Sequence, residues 1–295
     1  MTLTSVLTRP LLLSLFATLL IFTGCTRLQL AYGTAPLFLK GYAKDYLALD
    51  SEQMAKWDPR LTATLDAHRA VEIPQVAGFI EAFHQASVAG FDANNTRCLT
   101  NTLHELYRRH ARLAVDAAAP LLVGLRPAQV QHLERRFAAE YREDRLPEKA
   151  DPALLQAKRA RRYVKSLEGW TGTLSDTQRA LVKDLSGRIP NTEEAVFEYR
   201  TRKRRELVQL LRSGADETSI RRFLSDWLVD YRDLPPALAG AFDQVQQRWE
   251  ELLIRLGPTL DAAQRRHLND QLQTLRGDLM QIQKSPRLVT VTCRA

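Results

Sequence analysis

The chain has 295 residues, 45% of them hydrophobic and 26% charged, with a formal net charge of +8. That is ordinary globular composition, enough for one large domain or two small ones, and it sets aside a chain too short or too polar to build a core. No phosphate loop, GxGxxG, GxSxG or HExxH pattern occurs, so no reaction is announced by motif.

The N-terminus reads as a targeting segment. Arg9 supplies a positive charge, and Leu11 to Phe22 is an uncharged apolar run. The run is too short for the ~20 residues that a spanning helix needs. It ends in Phe22-Thr23-Gly24-Cys25, small residues before a cysteine, which is a processing pattern rather than a fold element. This resembles the lipobox of bacterial lipoproteins, with Phe22 where Leu is usual. The resemblance implies a diacylglycerol on the Cys25 thiol, cleavage after Gly24 and acylation of the new amine. Several acyl chains anchor firmly where one is marginal. Thr26 in place of Asp after the cysteine implies the outer membrane, on its periplasmic face. Residues 1–24 therefore read as a signal peptide and 25–36 as a lipidated tether. Ordinary secretion and an uncleaved anchor are the competing readings. In that compartment a basic chain is expected to meet phospholipid, lipopolysaccharide or an anionic unfolded chain rather than nucleic acid.

With Cys25 used by lipid, Cys98 and Cys293 remain. An even pair in an oxidising space suggests one disulfide, worth ~4 kcal/mol for so long a loop in the chain-entropy model. Two unpaired thiols are the alternative.

From residue 37 onward, apolar residues recur at three- and four-residue spacing. Leu99, Leu103, Leu106 and Leu113 share one face. Val130, Leu133, Phe137 and Tyr141 share another. Ile220, Phe223, Leu224 and Trp227 follow, then Leu238, Phe242, Val245 and Trp249, then Leu268, Leu272, Leu275 and Leu279. Such stripes mark amphipathic helices packed on each other. Breaks are expected at Pro74, Gly90 to Asn95, Pro120, Pro147 to Pro152, Gly169 to Gly172, Gly187 to Pro190, Ser213-Gly214, Pro235-Pro236 and Gly257-Pro258. The fold class is thus all-α, a mostly antiparallel bundle of about ten helices. It divides into halves at 37–168 and 169–295, or runs as one continuous domain. The β-branched tail Leu288 to Thr292 reads as a short extended strap.

A five-residue pattern, Leu-cap-x-x-Gln, recurs at Leu49–Gln53, Leu125–Gln129, Leu174–Gln178 and Leu260–Gln264. Asp50, Ser175 and Asp261 can cap a helix while the Gln bonds back to the cap amide. Arg126 caps poorly, but Pro127 suits the first helical position. Ile-Pro follows the first and third copies, at Ile73-Pro74 and Ile189-Pro190, which hints at an internal duplication. The pattern resembles the LTxxQ motif of Spy/CpxP-type periplasmic chaperones, without its Thr; that implies a basic face holding unfolded clients. A second resemblance covers most of the chain. Leu30-Ala31-Tyr32-Gly33-Thr34-Ala35-Pro36, then His68-Arg69-Ala70-Val71-Glu72-Ile73-Pro74, then the Leu-x-x-x-Gln segments look like an uncharacterised family of proteobacterial lipoproteins. It implies no catalytic residues.

The six histidines are not expected to assemble into a site. His104 and His110 diverge around their helix, and His110 lies on an apolar stripe as a hydrogen-bonded core residue. No metal, cofactor or catalytic residue is expected. The functional lead is basic. Arg200, Arg202, Lys203, Arg204 and Arg205 interrupt the stripe from Val196 to Leu207, so this stretch is expected either to line an anion-binding groove or to form a solvated face offset by Glu194, Glu198 and Glu206. The expectation is a non-enzymatic protein-binding or chaperone-like lipoprotein. A dedicated envelope adaptor, an envelope enzyme and, third, lipid binding are the rivals; the last would require a continuous apolar groove, whereas each stripe is needed for the core.

Overall fold

In the computed structural model, residues 25–144 and 151–292 are described. The leader 1–24 and Cys293 lie outside them. The described chain is helical throughout, in the order α1 (Cys25–Leu47), α2 (Ser51–Ala67), α3 (Ile73–Ala89), α4 (Ala93–Val123), α5 (Pro127–Asp144), α6 (Pro152–Thr171), α7 (Asp176–Gly187), α8 (Glu193–Arg212), α9 (Glu217–Leu228), α10 (Pro236–Leu256) and α11 (Ala262–Ile282). Among the described residues there is no strand, as an all-α chain requires. The segment 25–36, expected as a tether, is the first half of α1.

Two apolar cores form. The first gathers Leu61, Val115, Ala119, Leu133, Leu207 and Ile220. The second gathers Ala77, Leu174, Val182, Leu252, Leu268 and Leu272. Segments 37–168 and 169–295 each contribute to both. Two expected breaks do not end helices. Pro120 sits inside α4, and the indole N–H of Trp57 donates to the nearby Ala117 carbonyl at 2.9 Å. Pro74 opens α3 without interrupting the rod, because α2 and α3 are joined by a π-helical turn, His68–Glu72.

The chemistry of proline accounts for that turn. Pro74 has no N–H to offer the carbonyl four residues back, and its ring crowds that carbonyl. A wider turn relieves the crowding, with the Ile73 N–H bonding the His68 carbonyl five residues earlier. The Ala70 carbonyl, orphaned by Pro74, accepts instead from Arg287 Nη2 at 2.9 Å. The tail then runs along α3, with the Val289 N–H donating to the Pro74 carbonyl at 3.1 Å. Gly78 makes this approach achievable, since a Cβ there would lie 1.8 Å from the Val289 carbonyl oxygen. The extended strap is therefore seated on a bare helix surface.

The four Leu-cap-x-x-Gln segments meet in two pairs. Gln53 and Gln129 exchange amide hydrogen bonds at 3.0 and 2.6 Å, and Gln178 and Gln264 do the same at 2.9 Å each way. In every copy the Gln oxygen also accepts the cap amide, from Asp50, Arg126, Ser175 or Asp261. The second Gln donor reaches the carbonyl just before the partner copy's Leu: Gly124, Ala48, Thr259 and Thr173. Each amide thus uses both donors and both acceptor sites. This explains the tolerance of Arg126, because the bond that matters runs to its backbone. Ala48, at φ 52, turns left-handed one residue before Leu49.

Gly78→Ala should displace the strap and cost about 1–3 kcal/mol, read as a lower urea midpoint with earlier proteolysis of the tail; an unchanged midpoint would mean that the strap is not seated on α3. Gln178→Leu and Gln264→Leu should each cost about 2 kcal/mol. The double variant should cost less than their sum by at least about 0.5 kcal/mol; strict additivity in denaturant titrations would show that the pair is not coupled.

Candidate functional site

The π-turn collects a group of polar side chains that the apolar stripes do not explain. Its backbone projects His68, Arg69 and Glu72 toward α1 and α4. Glu72 is 5% exposed, and Arg109 of α4 grips it with both arms, Nε to Oε2 at 2.7 Å and Nη2 to Oε1 at 2.8 Å. Two parallel charge-assisted bonds of this kind fix geometry as well as energy. Removing either partner would strand a charge inside the protein.

Above that pair lie two histidines and a tyrosine. Tyr32 Oη of α1 is 2.9 Å from His68 Nδ1, and the two rings stack. The His68 and His110 rings meet edge to face, with centroids 5.0 Å apart. His110 Nδ1 is 2.6 Å from the Leu106 carbonyl. A carbonyl only accepts, so Nδ1 carries the proton there. The Arg69 guanidinium lies over the Tyr32 ring, 5.3 Å from its centroid. Burial pushes the Tyr32 phenol above its ordinary value, against the pull of Arg69. Burial, reinforced by His110, drives His68 down to about 4. His68 is therefore neutral at pH 7, and its contact with His110 is one that the sequence pattern did not reveal. Their separation of 42 positions, on different helices, hid the contact.

The basic stretch of α8 resolves into single residues with different fates. Lys203 is 2% exposed. Its Nζ bonds Asp233 Oδ2 at 2.6 Å and Glu206 Oε2 at 3.0 Å, and it lies over the Phe223 ring. Burial disfavours its charge, but the two carboxylates outweigh that and hold its pKa above the usual value. The bond from Lys203 in turn holds Asp233 below the carboxylate range. Arg204 pairs with Glu140 of α5 and covers the Phe137 ring. Two turns further on, Arg212 pairs with Glu134, so α8 and α5 are laced together. Arg202 is exposed, but bonds Glu206 and the Asp233 carbonyl. Arg200 is half-buried and Arg205 exposed. Lys203 and Arg204 are thus ties within the molecule rather than parts of an open basic groove.

Cys98 is disulfide-bonded, and Cys293, its expected partner, lies outside the described residues. Among the described residues no group of three His, Cys, Asp or Glu side chains is arranged to hold a metal, and no helix is long and apolar enough to cross a membrane. A shallow depression of about 450 Å³ lies over Thr177, Leu181, Ile254 and Pro258. Its charged member, Arg255, is paired with Glu251.

Stability should depend on pH through His68. Above pH 6.5 the ring is neutral both folded and unfolded. As pH falls below 6.5 the unfolded chain binds a proton that the folded chain refuses, so stability drops until about pH 4, where the folded protein also protonates. The loss should total about 3 kcal/mol. His68→Asn, which keeps an acceptor near Tyr32, should flatten that limb in denaturation curves from pH 7 to 4; an unchanged limb would assign it to other groups.

A family profile described as a family of unknown function (DUF6279) matches residues 45–236, more than half of the chain. The match takes in His68, Glu72, Arg109, His110, Lys203 and Asp233, and stops short of Tyr32 on α1 and of α11. No curated protein and no solved structure matches the chain.

Proposed function

We propose a role for a chain that belongs to the DUF6279 family of unknown function: a lipoprotein, acylated at Cys25, that stands on the periplasmic face of the outer membrane and binds other proteins of the envelope without catalysing a reaction. One observation carries the reading. α1 begins at Cys25 and packs without a linker against α2, α5 and α11, so acyl chains on that cysteine would hold the whole helical body at the membrane surface. Glu72 and Lys203, two buried charged residues of that body, are engaged in ties to Arg109 and Asp233, which supports a scaffold over a reaction centre.

Between a general chaperone and an adaptor with a dedicated partner, the fate of Lys203 and Arg204 favours the adaptor. A broad basic cradle for unfolded chains needs cations facing solvent, and these two face Asp233 and Glu140 instead.

Cys25→Ser should move the protein from the membrane fraction to the soluble fraction, and retention would argue against a lipid anchor. The lipid-free chain should give little protection to two unrelated unfolding clients at several-fold excess, while a pull-down from envelope extract should return one stable partner. Salt-sensitive protection of both clients would instead restore the chaperone reading.

A further inference from the structure

Among the described residues, the three most exposed large hydrophobic side chains are Phe38 at 76%, Leu37 at 74% and Leu30 at 68%, and all three lie on α1. Their spacing of seven and eight puts them on one face of the helix. Gly33 and Gly41 fall on the same face, and beyond the helix's own backbone nothing comes within 4 Å of where a side chain would begin. Thr34, between them, turns its hydroxyl back onto the Leu30 and Ala31 carbonyls at 2.9 and 3.2 Å. The strip therefore asks for no hydrogen bond, and from Leu30 to Gly41 it runs roughly 16 Å along the helix.

The opposite side of α1 is already used. Leu28 and Tyr32 pack on the second core, and Ala43 and Leu47 on the first. A surface helix ordinarily shows polar residues outward, and this one is apolar on both sides. Its charges are arranged as well. Along its length α1 carries three cations, Arg27, Lys40 and Lys44, against one acidic residue, Asp45. Lys44 is exposed, and Lys40 reaches Asp58 at 2.5 Å. Apolar residues edged by cations are what a helix lying in the interface of an anionic leaflet presents.

Position selects the occupant. Leu30 is five residues from Cys25, roughly 7.5 Å along the same helix. An anchored cysteine brings this face to headgroup depth with no slack to lift it away. We infer that the Leu30–Leu37–Phe38 face of α1 is a membrane-contact surface, lying in the phospholipid interface beside the anchor and setting the orientation of the body above it. The inference rests on the reading of Cys25 as the lipidated residue.

The test uses acylated mature protein, its lipid verified by intact mass, in vesicles of phosphatidylethanolamine and phosphatidylglycerol with brominated acyl chains. Phe38→Trp is compared with Phe242→Trp, an exposed aromatic position on α10, and the signal of the four native tryptophans is subtracted using the unsubstituted protein. The Phe38→Trp increment should shift to the blue and be quenched at least twofold more than the Phe242→Trp increment. Equal quenching in the acylated protein overturns the contact surface and leaves the anchor standing, as does shielding of the Phe38→Trp indole by a co-purifying protein. A mass without acyl groups overturns the anchor. In that case flotation of the chain with the same vesicles, lost in a Leu30→Ser, Leu37→Ser, Phe38→Ser variant, keeps the surface, and failure to float overturns it.

Discussion

A helix that starts inside a protein brings unbonded backbone N–H groups with it, and in this molecule four such starts are pushed together in two places. The reciprocal glutamine pairs solve that problem. Gln53 with Gln129, and Gln178 with Gln264, each close a ring of bonds linking two cap amides, two side-chain amides and two carbonyls. Gln129, Gln178 and Gln264 are nearly inaccessible to solvent, so an unmade bond there would carry the full desolvation penalty. The two crossings fix which loops touch. Leu49 and Leu174, adjacent to them, enter the first and second core respectively.

A second constraint follows from Pro74. The π-turn upstream of it widens the helix and swings His68 and Glu72 out of the register that a regular helix would impose. Glu72 then meets Arg109, His68 meets Tyr32 and His110, and the orphaned Ala70 carbonyl receives Arg287 from the far end of the chain. One proline thereby ties α1, α3, α4 and the tail to one turn. Its counterpart Pro190 follows the end of α7, and Arg159 binds the carbonyls of Ile189 and Pro190 there. The repeated Ile-Pro thus serves two different local structures.

Charged residues in the middle of helices have a similar structural use. Lys203 occupies a stripe position because a lysine stem can lie on Phe223 while its ammonium reaches Asp233 and Glu206. Arg204 does the equivalent across α5. What remains for recognition is the outer surface, and among the described residues its three most exposed large hydrophobic side chains lie on α1.

Much of this was written locally. Helical periodicity, the caps at Asp50, Ser175 and Asp261, and the extended tail all depend on residues within a turn of each other, and so the sequence alone determined the helices and most of their starts. The capping box at Asp92–Asn95 is as local but departs from the usual pattern, its third residue being Asn rather than Gln or Glu. The pairing of one Gln with another 76 or 86 positions away, the meeting of His68 with His110, and the burial of Lys203 belong to the tertiary structure. Periodicity names the face of a helix that turns inward. It does not name the helix opposite, because many arrangements bury the same apolar area, and only the folded chain selects the one in which these glutamines, histidines and buried charges meet their partners.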